Sequence, residues 1–195
     1  MRHNEKGGVN ARDAEASDPF TPNPGQELER VLKACDEDRR DWLGPSADFL
    51  AYTGAHISVL SGGWRHQGDD TWYQPPLRSD SVRGEFIYWR RPKNEKQIGM
   101  PLSRHLKGWL PEWLDRRRPL DRTTYNKALN EVGSLISLQV NPLRFRHTCA
   151  VLLYHVHHLD GKSIERLLGV TPETLTTYVM KPKWMVAQEL AASGW

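Results

Sequence analysis

The middle of this sequence is rich in residue types that bind phosphate. Between Arg83 and Arg122 there are eleven basic residues and five acidic ones. The basic residues are Arg83, Arg90, Arg91, Lys93, Lys96, Arg104, Lys107, Arg116, Arg117, Arg118 and Arg122. Such a cluster suits a nucleic-acid backbone, where affinity comes largely from the release of counterions. A solvated charged face gives the same pattern, and the net charge of the whole chain is only +3, so both interpretations stay open.

A second candidate stands at the start of an apolar segment late in the chain. Arg146 precedes a run that contains Cys149, Val151 and Leu152. A charge that opens so apolar a helix needs a partner, and the planar fork of a guanidinium matches two phosphate oxygens. We therefore predict that Arg146 is a phosphate ligand.

Three nearby histidines raise the alternative of a metal site. His155 and His158 share a helix face, with His157 between them. No third ligand at a spacing typical of zinc stands near them in the sequence. The sequence favours a polar helix face, and we predict no metal and no cofactor.

The elements that must position these residues begin after an irregular start. Residues 1–25 contain several prolines and glycines and little that is apolar, which predicts a disordered arm. Helical periodicity predicts a helix from Gln26 to about Leu43, ended by Gly44-Pro45. Ser46 is predicted to cap a second helix that ends at Gly54, and residues 53–60 begin a short third one.

Strand character then gives way to helices. Residues 85–89 and 97–101 predict a β-hairpin whose turn covers 93–95, and Trp72-Tyr73 lie in an earlier strand. The predicted helices that follow cover residues 104–116, 123–138, 142 to about 161, 163–168, 172–178 and 183–192. The chain therefore reads as one domain over 26–195, with an arm at 1–25.

Cysteine usage and hydropathy predict a cytoplasmic protein. Cys35 and Cys149 are far apart and form no CxxC pair, which is typical of two reduced, buried thiols. No apolar run approaches the roughly 20 residues that cross a bilayer, and the N-terminus is polar rather than signal-like. We predict no contact with a membrane.

Several segments together resemble the catalytic domain of the tyrosine recombinase (phage integrase) family. They are YTGAHISVL (52–60), WRRPKNEKQIGMPLS (89–103), NPLRFRHTCAVLL (141–153), SIERLLG (163–169) and TLTTYV (174–179). Their order and spacing match over about residues 26–190. The resemblance implies a mostly helical α+β fold with a small antiparallel sheet. It also implies DNA strand cleavage through a covalent 3′-phosphotyrosine, supported by two arginines, a lysine and histidines, without metal.

Four positions agree with the family pattern. Tyr178 stands near the position of the nucleophile, and Arg146 stands where the second arginine belongs. His147 repeats the common Arg-His pair. Lys93, in the hairpin turn, falls where the acid that protonates the leaving oxygen belongs.

Other positions depart from the pattern. His56 occupies the place of the first arginine, Leu143 that of a histidine, and Val170 that of a histidine or tryptophan. Tyr178 follows Val170 by eight residues, one fewer than the commonest spacing. The N-terminal domain that clamps the far side of DNA is expected to be missing, because the arm is too short to form it. Loss of one preorganised donor typically costs about 10²–10³ in rate.

The resemblance and the basic cluster predict double-stranded DNA as the partner. The predicted DNA contacts are Arg90, Arg91, Lys96, Arg104 and Arg144, and Arg144 is also a candidate substitute for the missing arginine. Two functions stay open. One is strand cleavage and joining by a mobile-element integrase or recombinase that needs a partner recombinase for the missing groups. The other is a non-catalytic DNA-binding protein that regulates recombination or replication.

The tail helix leaves a third class open. Trp184, Met185, Val186, Leu190 and Trp195 give it an apolar stripe. The stripe fits a homo-oligomer assembled on DNA through the C-terminal helix, and it fits packing onto its own core equally well. A protein–protein adaptor that uses this helix would show no salt-dependent affinity for DNA.

Overall fold

The computed structural model describes residues 19–21, 26–67, 70–90, 97–117, 120–180 and 182–193. Helices surround small antiparallel sheets, which confirms the α+β class. The helices are α1 (Glu27–Asp36), α2 (Leu43–Thr53), α3 (Ile57–Ser61), α4 (Arg104–Lys107), α5 (Leu110–Arg116), α6 (Arg122–Leu135), α7 (Pro142–Val151), α8 (Gly161–Ile164), α9 (Pro172–Val179) and α10 (Lys183–Ala192). The strands are β1 (Gly63–Gln67), β2 (Asp70–Gln74), β3 (Val82–Arg83), β4 (Phe86–Arg90) and β5 (Gln97–Pro101).

The first two helices divide at a different place from the one predicted. The helix that starts after Gln26 ends at Asp36, and Gly44-Pro45 lie in the first turn of α2. Proline is tolerated in a first turn, because that N–H has no partner inside the helix. Ser46 does not cap α2; it lies within the helix, and its hydroxyl donates to the Trp42 carbonyl at 2.6 Å.

The end of α2 and the start of α3 agree with the prediction. Gly54 ends α2 in the left-handed conformation, with φ 57°. Two residues later His56 caps α3, since its side chain accepts a hydrogen bond from the Ser58 backbone N–H.

The strands form two separate sheets. The predicted hairpin is confirmed: β4 pairs with β5 in antiparallel register, and β3 joins β4 on its other edge. Ile87, Trp89, Ile98 and Met100 turn one face of this sheet into the core. The other sheet is a two-stranded hairpin of β1 and β2, with Trp64 opposite Tyr73.

The later helices are shorter than the periodicity predicts. The segment 104–116 breaks at Gly108 into α4 and α5. The helix from Pro142 continues through one π-helical turn, Leu152–Val156, and ends before Gly161. Asp160 then caps α8, because its side chain accepts the Ser163 N–H. A second π-helical turn, Glu165–Gly169, follows α8.

The core reaches into the segment predicted to be a disordered arm. Phe20 is fully buried, its ring lies edge-on to Phe145 at 5.1 Å, and its N–H donates to the Thr148 hydroxyl at 2.7 Å. Residues 19–21 of the predicted arm therefore pack against the domain, through the Phe20 side chain and through hydrogen bonds of Thr21 with Leu28 and Glu27. Residues 1–18 and 22–25 of the predicted arm lie outside the described residues.

Two structural findings bear on the predictions made from hydropathy and from the cysteines. Among the described residues, no helix is both long enough and apolar enough to cross a membrane. Cys35 and Cys149 are buried free thiols, as predicted. Burial raises the pKa of each to about 12.

Candidate functional site

Helix α7 carries the candidate phosphate ligand in its second turn. The helix starts where Asn141 caps it by accepting the Arg144 N–H at 3.0 Å, with Pro142 at its first position. This start places Arg146 facing the ends of two other elements. Its Nη1 donates to the Gly54 carbonyl at 2.7 Å, and its Nη2 donates to the Leu168 carbonyl at 2.7 Å.

These two carbonyls fix the half-buried guanidinium between the segments 52–60 and 163–169. Both lie at the C-terminal ends of helical elements, where the helix dipole attracts a cation. The two bonds therefore fix the orientation of the Arg146 side chain.

Gly54 makes this contact possible. Besides its positive φ, a Cβ atom here would stand 2.6 Å from a Leu168 methyl carbon and 3.0 Å from the Cys149 Cβ. No other residue fits between α2, α7 and the turn 165–169. The Thr-Gly pair in the sequence is thus explained by close approach as well as by helix termination.

Tyr178 reaches the same end of α7. Its ring stacks on the ring of His147, with centroids 5.2 Å apart and planes 30° from parallel. The Nε2 of His147 lies 2.8 Å from the Tyr178 carbonyl oxygen. Because a carbonyl only accepts, Nε2 carries the proton. The fold therefore places the only tyrosine of the motif beside the Arg-His pair, despite the short spacing after Val170.

His56 lies two residues after Gly54, whose carbonyl Arg146 binds. Its Nδ1 accepts the Ser58 N–H at 3.2 Å and lies 2.8 Å from the Ser58 hydroxyl. An Nδ1 that accepts a hydrogen bond is unprotonated, so this imidazole is neutral in the described state. A neutral ring supplies no positive charge where the resemblance places an arginine.

Arg144 does not serve the site. Its Nη1 donates to the Gln139 carbonyl at 2.6 Å, its Nη2 pairs with Glu27 at 3.2 Å, and the guanidinium lies 4.2 Å from the centre of the Phe20 ring. Only 7% of its side chain is exposed. The structure therefore contradicts its assignment as a DNA contact or substitute arginine, because it joins three parts of the core.

The residues of the basic cluster differ in their surroundings. Arg90, at the end of β4, and Arg104, at the start of α4, are exposed. Arg117, from the same basic cluster, is buried and donates to the carbonyls of Leu60 and Leu77 at 3.0 and 2.9 Å. The remaining predicted contacts Arg91 and Lys96, together with the predicted acid Lys93, lie outside the described residues.

The other two positions that depart from the family pattern, Leu143 and Val170, sit in different surroundings. Leu143 is 46% exposed in the first turn of α7. Val170 is buried and packs with the core at the end of the turn 165–169. Neither brings a polar group to the site.

The histidine run does more than form a polar face. Within the described residues, no group of three or more histidine, cysteine or carboxylate side chains is placed to hold a metal. His155 instead bonds through Nε2 to the Val179 carbonyl at 2.8 Å. Sequence reasoning missed this contact, because no local signal links residue 155 to residue 179.

Comparisons with known proteins identify the fold. No protein-family model matches the chain, and no curated protein matches it. It superposes on XerA recombinase with a TM-score of 0.65 at 19% identity, over 90% of this chain and 66% of that one. It superposes on the catalytic domain of bacteriophage HP1 integrase with a TM-score of 0.59 at 20% identity, over 84% and 89%.

A third solved structure gives a similar result with a longer protein. The lambda integrase dimer bound to a COC′ core site matches with a TM-score of 0.60 at 16% identity, over 79% of this chain and 46% of that one. The chain thus spans less than two thirds of XerA recombinase and of lambda integrase, and most of the HP1 catalytic domain.

Proposed function

Because the chain has the fold of the tyrosine recombinase catalytic domain, we propose that it binds double-stranded DNA and cleaves and rejoins one strand through Tyr178. The observation that carries the proposal is the stacking of Tyr178 on His147, next to Arg146 in α7. Three chain segments distant in sequence contribute to this one region. His147 links Tyr178 to α7, and Arg146 of the same helix links α7 to Gly54 and Leu168.

The proposed reaction exchanges one phosphodiester for another. The hydroxyl of Tyr178 loses its proton to solvent and its oxygen attacks phosphorus, and the bond from phosphorus to the 5′ oxygen breaks. The 5′ oxygen takes a proton, and the predicted donor is Lys93. The products are a 3′-phosphotyrosine and a free 5′ hydroxyl, and the reverse attack rejoins the strand.

The other residues would stabilise charge rather than form bonds. Arg146 would donate to a non-bridging oxygen as negative charge builds there, which typically contributes roughly 3–4 kcal/mol. His147 keeps Tyr178 at the site and brings an imidazole beside the phosphate. His56 supplies a neutral ring at the first-arginine position, so we expect a slow enzyme.

Relaxation of a negatively supercoiled plasmid tests the catalytic proposal. The wild-type protein at low salt and without metal should relax the plasmid and leave covalent protein–DNA complexes that survive detergent. Tyr178→Phe should abolish both signals and keep DNA affinity. Tyr154→Phe, which changes a tyrosine 40% exposed on the π-helical turn after α7, is the matched control and should keep both signals.

The neutral state of His56 favours a second candidate, a DNA-binding protein without catalysis that regulates recombination or replication. Under this candidate the plasmid stays supercoiled while DNA binding weakens steeply as salt rises. Arg90→Gln and Arg104→Gln should then reduce both the affinity and its dependence on salt. If the two variants keep both the affinity of the wild type and its dependence on salt, DNA is not the partner.

The tail helix supports a proposal about assembly. No residue of α10 is buried, and Val186 and Leu190 are 39% and 46% exposed. An apolar stripe left open in this way fits packing on a second copy or on a partner recombinase when DNA is bound. Sedimentation with and without DNA, beside the double change of Val186 and Leu190 to serine, tests it. We also predict that the protein is cytoplasmic and belongs to a mobile element.

A further inference from the structure

Helix α9, which carries Tyr178, ends abruptly. Its last residue is Val179, and Met180 already has extended backbone, with φ −54° and ψ 135°. The final carbonyls of any helix have no partner inside the helix. Pro182 has no N–H to offer them. The last turn of α9, where Tyr178 lies, therefore depends on donors from elsewhere.

Two histidines of the neighbouring helix supply such donors. His147 donates from Nε2 to the Tyr178 carbonyl, and His155 donates from Nε2 to the Val179 carbonyl, each at 2.8 Å. In both pairs the proton must lie on Nε2, because the oxygen only accepts. Successive carbonyls of the tyrosine helix are thus held by two rings of a single element.

The π-helical turn after α7 explains how both rings reach the same target. Residues eight apart on a straight α-helix are offset by about 80° around its axis. Between Leu152 and Val156 the helix widens, as the bond from the His157 N–H to the Leu152 carbonyl at 2.9 Å shows. A wider turn rotates less per residue, which brings His155 toward the face that carries His147.

We propose that His155 is a positioning residue for Tyr178: its bond to the Val179 carbonyl fixes the end of α9 and so the place of the tyrosine hydroxyl. The inference rests on the proposed function and extends it to a residue that lies outside the motif. His155 touches no reacting atom and acts through the backbone of α9. Geometry matters here, because displacement of a reacting group by 1 Å can cost about 10² in rate.

Three variants separate positioning from general stability. His155→Leu removes the donor, and His155→Gln keeps an N–H at the end of the side chain. His157→Leu is the matched control, since His157 is an exposed histidine two residues further along. Each full-length variant is compared with the wild-type chain in two measurements. The first measures the single-turnover rate of covalent complex formation on a nicked duplex at saturating protein, together with the affinity of the variant for DNA. The second measures amide hydrogen exchange over residues 172–179, together with the melting temperature.

His155→Leu should form the covalent complex about tenfold more slowly, the order expected for one lost hydrogen bond. Its DNA affinity should stay within about twofold, and exchange should accelerate at the end of α9. His155→Gln should recover most of the rate, and His157→Leu should match the wild type. Equal rates for the leucine variant and the wild type, or no recovery with glutamine, overturn the inference.

The exchange measurement keeps the two proposals distinguishable. If the wild-type chain forms no covalent complex, the catalytic proposal fails. Faster exchange confined to α9 in His155→Leu would still support the tether from His155 to the tyrosine helix. Unchanged exchange in that variant would overturn the tether itself.

Discussion

If the chain cleaves DNA as proposed, an arginine at residue 56 should increase the rate of cleavage. The neutral ring of His56 caps α3 through Nδ1 and carries no charge in that state. His56→Arg places a permanent cation two residues from the Gly54 carbonyl that Arg146 binds. Residue 56 is exposed, so a longer side chain has room to extend toward bound DNA.

His56→Arg should lower the stability of the fold and raise the rate of the reaction. Arginine cannot accept the Ser58 N–H, and loss of an N-cap costs about 1 kcal/mol of folding free energy. For a domain of this size that loss lowers the melting temperature by about 2–4 °C. One additional preorganised donor stabilises the transition state by roughly 3–4 kcal/mol, so the rate should rise by about 10² or more.

The assay is single-turnover formation of the covalent complex on a nicked duplex, with the protein in excess so that binding does not limit the rate. His56→Ser is the control, because serine restores the cap without a charge; it should be as stable as the wild type and no faster. A folded His56→Arg protein with normal DNA affinity and an unchanged rate would contradict this prediction. It would show that the segment 54–56 does not face the scissile phosphate.

Three further predictions concern the framework of the site. Phe20→Ala should lower the free energy of unfolding by about 3–5 kcal/mol in urea titrations, since the ring is fully buried; a change below about 1 kcal/mol would contradict its place in the core. The thiols of Cys35 and Cys149, with pKa values raised by burial to about 12, should react with a disulfide reagent only after unfolding. Because unfolded thiols ionise near pH 9, stability should also decline above that pH. A hydrogen bond from Arg40 lowers the pKa of Asp38, so the stability from this pair should be present above about pH 4 and be lost below it; Asp38→Asn should remove that part of the acid sensitivity.

Short-range signals in the sequence account for much of the fold. The helix end at Gly54, the hairpin of β4 and β5 and the short helices after Gly161 all follow from caps, turn residues and periodicity. The fold class follows from the same signals. These local signals fail where two of them compete, as at Gly44-Pro45. A proline can mark the end of a helix, and it can also lie in the first turn of one.

Long-range contacts explain why some candidate residues were misassigned. Arg144 and Arg117 are basic residues in promising positions, and each is buried by partners that no local pattern reveals. Glu27, which pairs with Arg144, is 117 residues away. His155 is the opposite case. The sequence assigns it to a polar helix face, whereas in the structure it binds the helix that carries Tyr178. Charge and spacing in the sequence suggest which residues could contribute to the site. Only the packing of the folded chain shows which of them are bound to partners elsewhere.

The span of the bonds around Arg146 determines when the site can exist during synthesis. The carbonyl of Gly54 and the guanidinium of Arg146 are 92 residues apart in the chain. At typical elongation rates, roughly 5–18 s pass between the synthesis of one and the other. The link from Phe20 to Thr148 spans 128 residues and closes later than any local turn. A nascent chain therefore cannot bind Arg146 to Gly54, or stack Tyr178 on His147, until the segments that carry these residues have all been synthesised.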